Sequence, residues 1–122
     1  IDTRFKKFNH ETLEKNLNEM ISEKNCRVNI FAAYFPNTLL DDQLKKISNI
    51  KYSFVHLDFD LYKPTVDAIK FITPRLEKNA IILVDDYNFI NQEGVKWAIK
   101  DTGISLDRCI QTQSGQLIIY AD

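Results

Sequence analysis

Residues 54–65 read FVHLDFDLYKPT, an apolar run that releases two acids, Asp58 and Asp60, just ahead of a proline-marked helix start. Residues 80–88, AIILVDDYN, repeat the arrangement with adjacent acids, Asp85 and Asp86. The second run is apolar throughout and bounded by polar residues, the pattern of a strand buried at the centre of a parallel sheet. Between the two runs, Pro64 sits where a first helical turn tolerates it. Val66, Ile69, Ile72 and Leu76 then fall on roughly one face of a helix that Pro74 should kink or end early. Strand, helix and strand in this order predict a right-handed crossover between parallel neighbours.

The same alternation extends to both sides. In NHETLEKNLNEMISEK, Leu13, Leu17, Met20 and Ile21 recur at helical spacing, with Asn9 placed to cap the helix. CRVNIFAAYF (26–35), rich in β-branched and aromatic residues, predicts a strand running into a loop at Pro36. TLLDDQLKKIS predicts a short helix whose Asp41 and Asp42 are first-turn charges. After the second acidic run, NQEGVKWAIKDTG predicts a last helix with Val95, Ala98 and Ile99 inward, Trp97 also in the core and Gly103 as the stop. ISLDRCIQTQ and QLIIYAD, joined across Ser114 and Gly115, predict an antiparallel hairpin. The expected fold is therefore α/β, a mainly parallel sheet with a C-terminal antiparallel hairpin, in a single domain over 1–122.

Composition limits the functions available. A net charge of −1 gives no electrostatic reason to expect nucleic acid or an anionic membrane as partner. No run approaches the roughly 18 apolar residues of a membrane span, and no secretory leader pattern is present, so the expected location is cytoplasmic. Cys26 and Cys109 lie in no metal-ligand spacing and read as reduced, buried thiols.

In a parallel sheet the carboxyl ends of the strands lie on one edge, where ligands bind. Asp58, Asp60, Asp85 and Asp86 should therefore converge although 25 to 28 positions separate the two pairs. Clustered carboxylates repel, and a hard divalent cation or a shared proton relieves that repulsion; all-oxygen ligands favour Mg²⁺ or Ca²⁺ over zinc. The bland alternative is that Asp58 and Asp85 cap the following helices while Asp60 and Asp86 face water. A phosphoreceiver domain shares these ingredients, but there the acidic pair precedes the lone aspartate, the reverse of the order here.

The combination of LDFDLYKPT, ITPRL, AIILVDDYNF and GVKWAIKD resembles the macrocin O-methyltransferase family of S-adenosylmethionine-dependent enzymes, which methylate sugar hydroxyls. AAYFPNTL and IDTRFKKF extend the resemblance over nearly the whole chain. It implies a Rossmann-like methyltransferase sheet, S-adenosylmethionine and Mg²⁺ or a similar divalent cation as cofactors, and a sugar or other small-molecule hydroxyl as acceptor. Carried over by position, it makes Asp58, Asp85 and Asp86 metal ligands and Asp60 the catalytic base. It also places Asp2 at the cofactor's ribose and Tyr34 near its adenine. His56 reads as a core residue or a support for the acids rather than as a base, and His10 as a helix-start surface residue. Tyr62 and Tyr87, which follow acids, read either as packing residues or as lining of the substrate mouth.

The departures from the family pattern carry their own expectations. No glycine-rich turn is present to approach the cofactor, because the three glycines are Gly94, Gly103 and Gly115. Ala33 stands where the family has its loop glycine, and Lys78-Asn79-Ala80 where it has a glycine pair. The chain thus reads as a fragment holding the catalytic half of the fold, inactive and weak in cofactor binding by itself. In the family's strand order, 3-2-1-4-5-7-6, such a piece leaves the 26–35 strand without its neighbour, and a homodimer or strand exchange would supply one. The alternative function is a non-catalytic methyltransferase-like remnant acting as an interaction module.

Overall fold

The computed structural model describes residues 9–88 and 93–121. The chain forms two compact units, Ile1–Tyr34 and Phe35–Asp122.

In the first unit, helix α1 (His10–Met20) starts where Asn9 accepts hydrogen bonds from the main-chain N–H groups of Glu11 and Thr12. No residue of α1 is buried. The strand expected over 26–35 does not form. A strand needs a ladder partner, and here side chains of α1 take that role. The Asn18 amide accepts from the Val28 N–H and donates to the Val28 carbonyl, both at 2.8 Å, and the Glu14 carboxylate accepts from the Ile30 N–H at 2.7 Å. Cys26 is exposed and Cys109 half-buried, both free, so the expectation of two buried thiols is corrected.

The second unit carries α2 (Asp41–Ser48), β1 (Tyr52–Leu57), α3 (Tyr62–Ile72), β2 (Leu76–Val84), α4 (Gly94–Asp101), β3 (Cys109–Gln111) and β4 (Leu117–Tyr120). At α2, the Gln43 side chain accepts from the Leu40 N–H, closing the helix start. Helix α3 ends where Pro74 requires, passing into a 3-10 turn at Thr73–Arg75. Gly103 and Gly115 take positive φ, 75° and 88°, as a helix stop and a hairpin turn demand.

The sheet order is β1-β2-β4-β3, with β1 and β2 parallel and both β2–β4 and β3–β4 antiparallel. It is therefore mixed rather than mainly parallel. The reason is the 26–35 segment: without it, β1–α3–β2 is the one parallel connection among the described residues, and the C-terminal hairpin supplies the other two pairings. Adjacent to Tyr52 the β1–β2 register jumps, Tyr52 facing Leu76 and Phe54 facing Ile81. Within that jump Asn79 takes φ 63°, a left-handed conformation that asparagine tolerates far better than most residues.

Ile69, Ile72, Ile82, Val84, Val95, Ile99, Leu117 and Ile119 form the core where α3 and α4 cover the sheet. Trp97 corrects its core assignment: it is half exposed, on the wall of a groove of about 450 Å³, and Lys100 lies over its ring. Helix α4 comes close to the start of α3 because Gly94 has no side chain. A Cβ there would lie 3.0 Å from the Tyr62 main-chain nitrogen.

Candidate functional site

Both acidic pairs leave the sheet between buried anchors. On β1, Leu57 is buried, Asp58 exposed, Phe59 half-buried against the Phe35 ring at 6.4 Å, and Asp60 exposed. Turning Phe59 inward turns its two acidic neighbours outward. On β2, Val84 is buried, Asp85 and Asp86 are half-buried, and Tyr87 returns to the core. The Asp85 N–H donates to the Leu57 carbonyl at 2.8 Å, so the two strand ends are tied where the acids begin.

The backbone bends sharply at both exits. Asp60 takes φ 60° and Asp86 φ 56°, in the left-handed region that costs most L-residues about 1–2 kcal/mol and aspartate less. These turns bring Asp58, Asp60 and Asp86 together, each offering a carboxylate oxygen within 4.8 Å of the others. Among the described residues this is the group with metal-ligand geometry. The Asp86 carboxyl is pushed from the usual 3.8 up to about 6. Its hydrogen bond with Asp60 is the largest cause, followed by desolvation and by the negative charges of Asp60, Asp85 and Asp58. The cluster thus holds a proton more tightly than a lone carboxyl does, a cation would do the same electrostatic work, and three hard oxygen donors suit Mg²⁺ or a similar ion.

Asp85 stands apart from that group. Its Oδ2 lies 3.3 Å from His56 Nε2, and its Oδ1 accepts from Gln116 Nε2 at 3.4 Å and from the Asp86 N–H at 3.2 Å. The helix-capping alternative does not hold, because Leu61 and Glu93 occupy the N-cap positions of α3 and α4 and neither helix has a side-chain cap. The Tyr62 hydroxyl donates to Asp101 at 2.7 Å, which raises the phenol's pKa, and Tyr87 packs in the core. Sequence reasoning offered His56 as a support for the acids without assigning it to Asp85, and it did not find Gln116. The contact depends on the register that pairs His56 with Leu83 and so puts Asp85, two residues on, on the face of His56, and no sequence signal fixes that register.

For S-adenosylmethionine the described residues build no cradle. Gly94 opens a helix, Gly103 ends one and Gly115 turns a hairpin. Tyr34 is 83% exposed in the first unit, and Asp2 lies outside the described residues.

A four-stranded β1-β2-β4-β3 sheet with acids at the shared end of its parallel strands defines part of a Rossmann-like α/β fold of the methyltransferase type. The chain belongs to the macrocin O-methyltransferase (TylF) family, whose model matches residues 5–103. Among solved structures it is similar to the O-methyltransferase NovP, at 18% identity and a TM-score of 0.66 over 90% of this chain and 43% of that one. It is also similar to CalS11, a TDP-rhamnose 3'-O-methyltransferase of calicheamicin biosynthesis, at 21% identity and a TM-score of 0.54 over 63% of this chain and 34% of that one. At these identities the likeness speaks for the fold. The chain spans between a third and under half of the length of these two structures. No curated protein matches the sequence.

Proposed function

We propose that this chain carries the acceptor side of a divalent-metal-assisted, S-adenosylmethionine-dependent O-methyltransferase acting on a hydroxyl of a sugar or similar small molecule. The observation that carries the reading is the meeting of Asp58, Asp60 and Asp86, with Asp86 held near pKa 6 by its acidic neighbours. Family membership supports the reaction class, and the sugar acceptor named for CalS11 supports the substrate class.

In this reading Asp58 and Asp86 hold the cation and Asp85 adds its charge beside them. Bound there, a divalent cation lowers the pKa of a hydroxyl and neutralises the mutual repulsion of the acids. Asp60 is the proton acceptor: it is exposed, adjoins the other two acids, and as a carboxylate takes the proton that the hydroxyl must lose as its oxygen is methylated. Asp60 sits on a left-handed backbone, φ 60°, with its carboxylate within the cluster. With no cofactor cradle among the described residues, the chain's part in the reaction is to orient the acceptor and receive its proton.

The test is isothermal titration with Mg²⁺ and then S-adenosylmethionine, followed by labelled methyl transfer to sugar hydroxyls by the protein. Cation uptake lost in Asp58→Asn and transfer lost in Asp60→Asn are the expected results. A wild-type chain that takes up no cation, or transfer indifferent to Asp60, would overturn the proposal.

A further inference from the structure

Resting on the cation reading above, we propose that His56 and Gln116 are positioning residues for Asp85, holding its carboxylate beside the Asp58, Asp60 and Asp86 cluster in the orientation that serves the cation. The geometry is a two-sided clamp. Strand β2 lies between β1 and β4. One donor, His56 Nε2, comes from β1 and the other, Gln116 Nε2, comes from the residue preceding β4. A carboxylate only accepts hydrogen bonds, so the His56 ring carries its proton on Nε2 in this contact.

Three donors reach Asp85, at 3.2 to 3.4 Å, and a carboxylate offers about four lone-pair sites. The contacts fix the plane of the group without exhausting it. Asp85 directly precedes Asp86 and accepts from its main-chain N–H at 3.2 Å, so the clamped group adjoins the cluster.

A purely structural role fits the same contacts poorly. The His56 and Asp85 side chains are 45% and 29% exposed, and a polar contact so exposed adds little to stability. Donors that hold a charged group beside a cation site, in contrast, act on the affinity for the ion.

The experiment is Mn²⁺ binding to the 122-residue chain, followed by the electron paramagnetic resonance signal of the free ion, with far-ultraviolet circular dichroism to show that each variant folds. His56→Ala should weaken binding several-fold, toward the lower end of the about 10- to 100-fold seen when a direct ligand loses its partner. His56→Gln, whose amide can donate from nearly the place of Nε2, should recover most of the loss, and Gln116→Met should weaken binding more mildly. Equal affinity in His56→Ala and wild type would overturn the positioning role while leaving the cation reading intact. Tighter binding in His56→Ala would overturn it too, since the clamp would then be keeping Asp85 away. A wild-type chain without Mn²⁺ uptake would remove the cation reading and this proposal with it.

Discussion

Binding of Mg²⁺ to the acidic cluster should expel protons, in a number set by Asp86. A group with a pKa of about 6 is about 0.9 protonated at pH 5, half protonated at pH 6 and about 0.03 protonated at pH 7.5. A carboxyl at the usual 3.8 would hold about 0.06 of a proton at pH 5 and under about 0.01 at pH 6. Titration calorimetry at pH 6 in two buffers of different ionisation enthalpy measures the difference, because the observed heat scales with the protons the buffer absorbs. About half a proton per Mg²⁺ is expected. The proton belongs to the Asp60 and Asp86 pair rather than to one residue, and Asp60 is the largest cause of the shift. Asp60→Asn should therefore return Asp86 toward 3.8 and cut the release at pH 6 several-fold, with Asp58 and Asp86 still present. Release below about 0.1 proton in the wild type at pH 6, or release unchanged in Asp60→Asn, would refute the account of the cluster.

The same shift fixes a pH dependence of stability. Asp86 is raised on folding, so its contribution is fully present below about pH 4 and is lost as pH rises through about 6. Thermal melts in a chelator should show Tm falling over that window, and Asp86→Asn or added Mg²⁺ should flatten the fall. Gly94→Ala sets a Cβ 3.0 Å from the Tyr62 main-chain nitrogen, so α4 must shift from α3, at a cost of about 1–3 kcal/mol in chemical denaturation. At Asn79, with φ 63°, Asn79→Gly should leave stability within about 0.5 kcal/mol while Asn79→Val costs about 1–2 kcal/mol, compared by urea midpoints. Leu117→Ala, at a fully buried position between β2 and β3, should cost about 2–5 kcal/mol.

Local signals were legible where local forces decide. Asn9 caps α1, Pro74 ends α3, and Gly103 and Gly115 sit at the stop and the turn their sequences announce. Three of the four acids, Asp58, Asp60 and Asp86, were legible as a converging set because sheet topology, once parallel pairing of β1 and β2 is inferred, brings the strand ends together. What failed depends on distant partners. The strand propensity of 26–35 is real, yet a ladder is a contact between segments, and Asn18 and Glu14 of α1 supply the hydrogen bonds instead. Trp97 follows inward-facing Val95 at a helical spacing that points it outward, which its apolar character concealed. Adjacent acids on a strand face opposite ways, so Asp85 and Asp86 could not both follow one reading. Asp86 reaches Asp58 and Asp60 through its left-handed backbone, while Asp85 turns to His56.

Positive φ at Asp60 and Asp86 narrows the routes by which this site can change. Asparagine and glycine keep that backbone comfortable, whereas alanine, valine or glutamate adds torsional discomfort to any change of charge. An alanine scan would therefore blend two losses at these positions, and asparagine is the cleaner probe. The substitutions easiest for the chain to accept here are also those that erase its acidity, so a descendant could abandon chemistry while its architecture persisted untouched.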